Sequence, residues 1–359
     1  MTVTFPKFLS DCHLWNKEMK IIKMLGKAAL GILAGLVVLF LLFYVLTIGE
    51  YTVPATVAQD PSLPHITINE VTYHAETFGD PSNPAVITIH GGPGGDYRSI
   101  LSLQALADEY YVVFFDQRGA GLSPRGDPEE ITLQSAISDL DSVVEYYGRG
   151  EPVNLVGHSW GAMLASAYLG RYPQKVDHIV LAEPGFLNSE FAEEWAAGTQ
   201  MHFSSGLLTY FLKTKFEALH VNGQGKHAAD DYFSHQINLY QGDDHPQAGY
   251  YCEGDKPSEN VSWRFGAAAG NAIFQEAVDA DGNFDVNLAE GVEDFTDTVL
   301  FMTGECQQLI GAEFQGRQMA LFPNAELAVI PDAGHEMFFE NPEASIAVVR
   351  DYLNTPSGE

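Results

Sequence analysis

Residues 153–162 read VNLVGHSWGA, and their order decides the fold. Val153–Val156 is a short apolar run of strand type, and a helical stretch opens near Ala162. Between them lies Gly157-His158-Ser159-Trp160-Gly161, a G-x-S-x-G pentapeptide. At a strand-to-helix junction this spacing describes a sharp, strained turn. Its glycines sit where neighbouring backbone must come close, and its serine is lifted to the tip. The serine oxygen then stands at a helix N-terminus, whose dipole favours a developing negative charge. Ser159 is therefore a candidate nucleophile.

Outward from this turn, the same rhythm of apolar run, turn and amphipathic stretch repeats. Apolar runs fall at Ala85–Ile89, Tyr111–Phe115, Val176–Ala182, Val299–Met302 and Leu327–Ile330. Several are continuous rather than alternating, as in parallel strands covered on both faces. Helical stretches at Thr132–Tyr147, Ala162–Arg171 and Pro342–Tyr352 separate or follow them, and His65–Phe78 alternates like a short hairpin. This pattern predicts an α/β fold with a doubly wound, mostly parallel sheet. Between Ala182 and Val299 the rhythm breaks. That interval offers helix candidates at Ser189–Gly198, Leu207–Leu219 and His227–Leu239 but no clear strand, and reads as an inserted helical lid.

Two further segments carry chemistry. His90-Gly91-Gly92-Pro93-Gly94-Gly95 follows the strand Ala85–Ile89 directly. A glycine-rich turn there exposes backbone N–H groups, and the N–H of Gly92 with that of Trp160 is the expected oxyanion hole. Phosphate cradling is the rival use, but no Gly-Lys-Ser/Thr follows and the chain is very acidic. His335, in Pro331-Asp332-Ala333-Gly334-His335, lies after the last apolar run and before the final helix, where the general base belongs. His90 is expected to stabilise its turn instead.

The segments His90–Gly95, Asp116-Gln117-Arg118-Gly119-Ala120-Gly121-Leu122-Ser123 and Gly157–Gly161 together resemble the proline iminopeptidase family of serine peptidases. The resemblance is dense over roughly residues 80–185 and returns near 322–352. It implies an α/β-hydrolase core with a helical lid and cleavage of an N-terminal residue, preferably proline, from short peptides. It also implies that Asp116 and Arg118 brace the floor of the site. A small carboxylic ester or amide is the alternative substrate on this fold.

The resemblance puts the triad acid in a Gly-x-x-Asp turn, but here the turn after strand Thr298–Thr303 reads Gly304-Glu305-Cys306-Gln307. Gln307 can hold an imidazole but cannot offset its charge. Without a carboxylate from elsewhere the chain would be an inactive binding protein. Glu183, at the end of the run Val176–Ala182, is the favoured acid, because its strand is expected to neighbour the one ending at Gly304. Glu305 is the rival. The family holds the substrate ammonium with acidic lid residues, and Glu190, Glu193, Glu194 and Glu253 are candidates, with Glu193 and Glu194 beside Trp195 preferred.

The N-terminus sets the location. Ala28–Ile48 holds 21 residues without a charge, enough for a helix of roughly 30 Å, the thickness of a bilayer core. Lys17, Lys20, Lys23 and Lys27 precede it, which predicts a cytoplasmic N-terminus and an exported remainder. A cleaved signal is the alternative, although its apolar region is usually only about 7–15 residues. The chain holds 18 basic and 48 acidic residues, a net charge of −30. Of these, 13 basic and 46 acidic residues lie after Gly49, so the exported part carries −33. Such a surface disfavours nucleic acid. Cys12, Cys252 and Cys306 are too few for a zinc site or disulfide scaffold, though the last two can pair after export. No metal or organic cofactor is implied. The expected divisions are a basic segment at 1–27, a transmembrane helix at 28–48 and a stalk at 49–64. The core takes 65–183 and 292–359, and the lid 184–291.

Overall fold

The computed structural model describes residues 8–199, 204–222, 225–242, 244, 245, 247–258 and 260–356. The first seven residues of the basic segment therefore lie outside the described residues. Strands β1 (His65–Ile68), β2 (Val71–Phe78), β3 (Ala85–Ile89), β4 (Tyr111–Phe115), β5 (Val153–His158), β6 (Val176–Ala182), β7 (Val299–Gly304) and β8 (Ala325–Ile330) form one sheet. Its order is β1-β2-β4-β3-β5-β6-β7-β8. β1 and β2 pair antiparallel, as do β2 and β4, and all other pairs are parallel.

Every residue of β3, β5 and β7 is buried, because helices cover both faces of the sheet. Ile87, Ile89, Leu155, Leu181 and Phe301 pack on one face against α2 (Leu133–Gly148) and α3 (Trp160–Arg171). Val86, Val156, Val180, Leu300 and Met302 pack on the other, where Val349, Tyr352 and Leu353 belong to the final helix, Pro342–Leu353. Each such aliphatic side chain contributes about 1.5–3 kcal/mol on burial. The doubly wound sheet expected from the sequence is the sheet found.

Between β6 and β7 run the helices α4 (Ser189–Gly198), α5 (Ser205–Ala218), α6 (Ala228–Asn238) and α7 (Ala267–Glu276). A buried charge cluster ties this cap to the core. Asp231 on α6 receives Arg264 Nε at 2.8 Å, Arg125 Nε at 3.0 Å and the Ala267 N–H at 3.1 Å. Arg264 also donates to the carbonyl of Pro54 at 2.5 Å.

That last bond changes the reading of residues 49–64. Their prolines suggest a free stalk, but Val53, Thr56 and Val57 are buried, and the Val57 N–H donates to Leu122 O at 2.8 Å. Tyr51 bridges to Val221 just beyond α5. The segment lies against core and cap because Arg264 and the Leu122 carbonyl need its backbone as partners. N-terminal to it, a single helix, α1, runs from Phe8 to Leu46. Within α1, Ile22–Leu46 is long and apolar enough to cross a membrane, and none of its most apolar stretch is buried by protein.

Candidate active site

Ser159 stands between β5 and α3 with φ 56° and ψ −121°, the strained conformation that a sharp elbow imposes. Two glycines make the elbow possible. A Cβ on Gly161 would lie 1.9 Å from Ile89 O, and one on Gly157 would lie 2.4 Å from Gly161 O. The Ser159 N–H donates to Ala182 O at 2.8 Å, so the nucleophile turn is held by the end of β6.

The residue after Ala182 is Glu183, fully buried, with φ 46°. Its backbone N–H donates to Met302 O at 2.9 Å because β6 and β7 are adjacent. Its side chain crosses to the β7–β8 side of the sheet. Glu183 Oε1 accepts from Thr303 Oγ1 at 2.8 Å and the Gly304 N–H at 2.6 Å. Oε2 accepts from Gln307 Nε2 at 2.9 Å and lies 2.6 Å from His335 Nδ1. Gln307 thus holds the carboxylate rather than the imidazole, and its own oxygen accepts the Leu309 N–H at 2.9 Å.

Glu305, the rival acid, lies exposed in its turn and accepts the Asp332 N–H at 3.2 Å. It does not touch the imidazole, because the backbone turn directs its side chain to solvent.

His335 is buried and packed on both sides. The Tyr250 ring stacks on it at 4.4 Å, and His158 approaches at 4.8 Å. The Tyr250 carbonyl accepts the His335 N–H at 2.6 Å, and Trp195 Nε1 donates to the Tyr250 hydroxyl at 2.6 Å. Burial opposes charging His335, but the hydrogen bond and charge of Glu183 outweigh it and raise its pKa above the ordinary value. His158 goes the other way. Burial, then the neighbouring His335, lowers its pKa to about 3, and its Nε2 donates to His335 O at 2.7 Å.

Ser159 and His335 line one cavity of about 500 Å³ together with Gly92 and Trp160. The Ser159 hydroxyl and the imidazole are not hydrogen-bonded to each other, as is common before substrate draws such a pair together. Gly92 has φ 130°, and a Cβ there would meet Gly94 N and Gly95 N at 2.6 and 2.5 Å. This turn is fastened to the nucleophile helix through Gln117. Its backbone N–H donates to His90 Nε2 at 3.0 Å, its amide donates to His90 O at 2.9 Å, and its oxygen accepts Trp160 Nε1 at 2.9 Å. With His90 Nδ1 donating to Gly91 O at 2.8 Å, both ring nitrogens are occupied in the turn. Burial lowers the His90 pKa, so the ring stays neutral.

Asp116 accepts the Leu122 N–H at 2.7 Å and the Tyr97 N–H at 3.0 Å, and Arg118 grips Asp139 on α2 through Nε and Nη2.

The two preferred lid glutamates do not face the cavity. Glu193 accepts the Phe284 N–H at 3.2 Å, and Glu194 pairs with Arg317 at 2.6 and 2.8 Å, both on the exposed side of α4. The other side of that helix buries Phe191 and Ala192, which fixes the orientation. The carboxylates on the cavity wall are Asp96, Glu276, Asp285 and Glu336. Asp96 is saturated by Ser262 Oγ and the N–H groups of Arg98, Trp263 and Arg264. Glu276 accepts the Leu133 N–H at 2.6 Å. Glu336 Oε2 is buried without a hydrogen-bond partner, and burial pushes the Glu336 pKa up to about 7. Glu336 is adjacent to His335 in sequence, which was its one visible signal. Tyr250 had none. Cys252, two residues beyond it, is disulfide-bonded to Cys306, beside Gln307. No group of three or more metal-ligating side chains occurs among the described residues.

Comparison with known proteins agrees with this architecture. A family described as alpha/beta hydrolase fold matches residues 84–342. Proline iminopeptidase of Heyndrickxia coagulans is 37% identical over 102 residues, 28% of this chain and 34% of its own. The cis-3-alkyl-4-alkyloxetan-2-one decarboxylase of Shewanella oneidensis is 32% identical over 121 residues, 33% of this chain and 36% of its own. The chain thus matches about a third of the length of these curated relatives. The crystal structure of proline iminopeptidase from Mycobacterium smegmatis superposes with a TM-score of 0.55 at 19% identity, covering 80% of this chain and 96% of that one. With the family match spanning most of its length, the chain belongs to the alpha/beta hydrolase fold family.

Proposed function

We propose that this protein is a membrane-anchored serine hydrolase that releases an N-terminal residue, preferably proline, from short peptides. The observation that carries the reading is the buried Glu183–His335 pair at 2.6 Å beside the Ser159 elbow. Ser159 Oγ attacks the substrate carbonyl carbon as His335 takes its proton, and the N–H groups of Gly92 and Trp160 receive the developing oxyanion. His335 then protonates the leaving amine, and water releases the acyl group by the reverse sequence. Glu183 orients the ring and offsets its transient charge.

The relatives named proline iminopeptidase support the substrate class. With Glu193 and Glu194 turned away, Glu336 is the cavity carboxylate suited to a free α-ammonium. The cation would satisfy its unbonded oxygen and favour its ionised form. The apolar walls for a proline ring are Met163, Phe186, Trp195 and Phe274. The apolar part of helix α1 is the anchor, with Lys17, Lys20, Lys23 and Lys27 at its N-terminal side inside and the acidic domain exported. A second reading, hydrolysis of a carboxylic ester or small amide, is favoured by the displacement of the two lid glutamates from the cavity.

The test uses the full chain in lipid nanodiscs, with Ser159→Ala as blank. Hydrolysis of a prolyl arylamide is compared with that of its N-acetyl form and of a short-chain p-nitrophenyl ester. Prolyl activity that disappears on acetylation supports the exopeptidase. Ester turnover without prolyl activity rejects it in favour of the second reading.

A further inference from the structure

Helix α5 of the cap shows an apolar face that stays largely exposed among the described residues. Leu208, Phe211, Leu212 and Leu219 are exposed by 47%, 36%, 40% and 53%, while Leu207, Thr214, Glu217 and Ala218 are buried on the other side. At 3.6 residues per turn, Leu208, Leu212 and Leu219 fall within about 40° of one another around the helix axis. They form a stripe rather than scattered exposed leucines.

The same helix carries the contact with α1. The Phe216 ring lies 5.2 Å from Phe40 and 5.4 Å from Phe43. Just past α5, the His220 ring lies 4.3 Å from Tyr44, and His220 Nε2 donates to Tyr44 O at 2.9 Å. Phe40, Phe43 and Tyr44 belong to the last two turns of Ile22–Leu46. Those 25 residues make a helix of about 37 Å against a hydrocarbon core of about 30 Å. The contact therefore holds α5 at the level where hydrocarbon gives way to head groups.

Charge agrees with that placement. The domain after Gly49 carries −33, yet Lys213 and Lys215 lie on α5 with their side chains more than half exposed. Their acidic partners sit at 3.1 Å (Glu217) and 3.9 Å (Asp230), and their long stems allow the ammonium groups to reach lipid phosphates beside an embedded leucine stripe.

We propose that the Leu208–Leu212–Leu219 face of α5 is seated in the phospholipid bilayer beside α1. This inference rests on the anchor reading above. The seating bears on the active site through α6. Tyr210 on α5 donates to Gln236 O at 3.0 Å, and Phe211 packs edge-on against Phe233 at 5.0 Å. Helix α6 and the residue after it supply His235, Asn238 and Leu239 to the cavity wall. One wall of the cavity is thereby braced on the membrane.

The test places single nitroxides at Leu208, Leu212, Val38 and Tyr146 in full-length Cys12→Ser protein. The protein is reconstituted in phosphatidylethanolamine–phosphatidylglycerol vesicles, and collision with oxygen is compared with collision with a water-soluble nickel chelate. Leu208 and Leu212 are expected to match Val38 on α1, with oxygen favoured, while Tyr146 on α2 favours the chelate. Chelate access at Leu208 and Leu212 with Val38 still in lipid overturns the seating and leaves the anchor standing. Chelate access at Val38 overturns the anchor and the seating together. Labels at Leu212 shielded from both reagents, with spin–spin broadening that vanishes on dilution with unlabelled chains, put a second copy there and overturn the lipid assignment.

Discussion

Replacing Glu183 by glutamine changes one oxygen for an NH₂ group, and the four contacts of the carboxylate show why the substitution is severe. If the amide oxygen stays toward Thr303 and Gly304, the NH₂ faces Gln307 Nε2 and His335 Nδ1. Gln307 then presents donor to donor, and turning its amide sacrifices the bond from the Leu309 N–H. His335 must accept at Nδ1, so its proton moves to Nε2 and the ring no longer serves as base toward Ser159. If the amide is reversed, the Gly304 N–H loses its acceptor inside a buried site.

The comparable aspartate-to-asparagine change in a serine protease triad costs about 10⁴ in kcat, equivalent to about 5.5 kcal/mol of barrier. The same loss is expected for Glu183→Gln, with about 1–3 kcal/mol of folding stability lost to the unsatisfied group. Activity also has a distinct pH signature. His335 must be neutral to act, and its pKa is raised by Glu183, so the acid limb of kcat/KM lies above the ordinary histidine value. In the variant the hydrogen bond and charge of Glu183 vanish while burial remains, and the limb moves to lower pH. Stopped assays of kcat/KM from pH 4.5 to 9 on the parent and Glu183→Gln read both effects. Retention of more than a tenth of the activity, or an unmoved acid limb, would refute the assignment of Glu183.

Glu305→Gln and Glu194→Gln should each leave kcat/KM within about twofold, because neither carboxylate reaches the cavity and exposed pairs are worth little. Glu336→Gln should lower the acid limb, since the Glu336 charge helps to raise His335, and should raise KM for a free-amine substrate more than for an ester. Removing the Cys252–Cys306 bond by a double change to serine should cost about 4 kcal/mol for a loop of 54 residues, read by urea unfolding. Asp231→Ala should cost about 3–5 kcal/mol, because it leaves Arg125 and Arg264 buried without their shared partner.

The sheet was legible because several of its strands are continuous apolar runs, a pattern that two-sided burial requires. The elbow was legible because Gly157 and Gly161 have no room for a Cβ. Strand adjacency put Glu183 within reach of the β7 turn, where its carboxylate lies 2.6 Å from His335 Nδ1. What Gln307 does was not legible, since a glutamine donates or accepts according to neighbours that sequence does not place. The lid glutamates went astray for a similar reason. Glu190, Glu193 and Glu194 share one side of helix α4, and only the packing of Phe191 and Ala192 decides that this side meets solvent. Residues 49–64 looked like a stalk from their prolines, but Pro54 offers a carbonyl that Arg264 of the cap takes.

The most direct measurement is labelling of the full-length protein by a fluorophosphonate, followed by peptide mapping and comparison with the Glu183→Gln and Glu305→Gln proteins. The account predicts a single phosphonylated serine at Ser159, labelled at the parent rate in Glu305→Gln and at least about a hundredfold more slowly in Glu183→Gln. Unlabelled Ser159 in the folded parent, or labelling indifferent to Glu183, would contradict it.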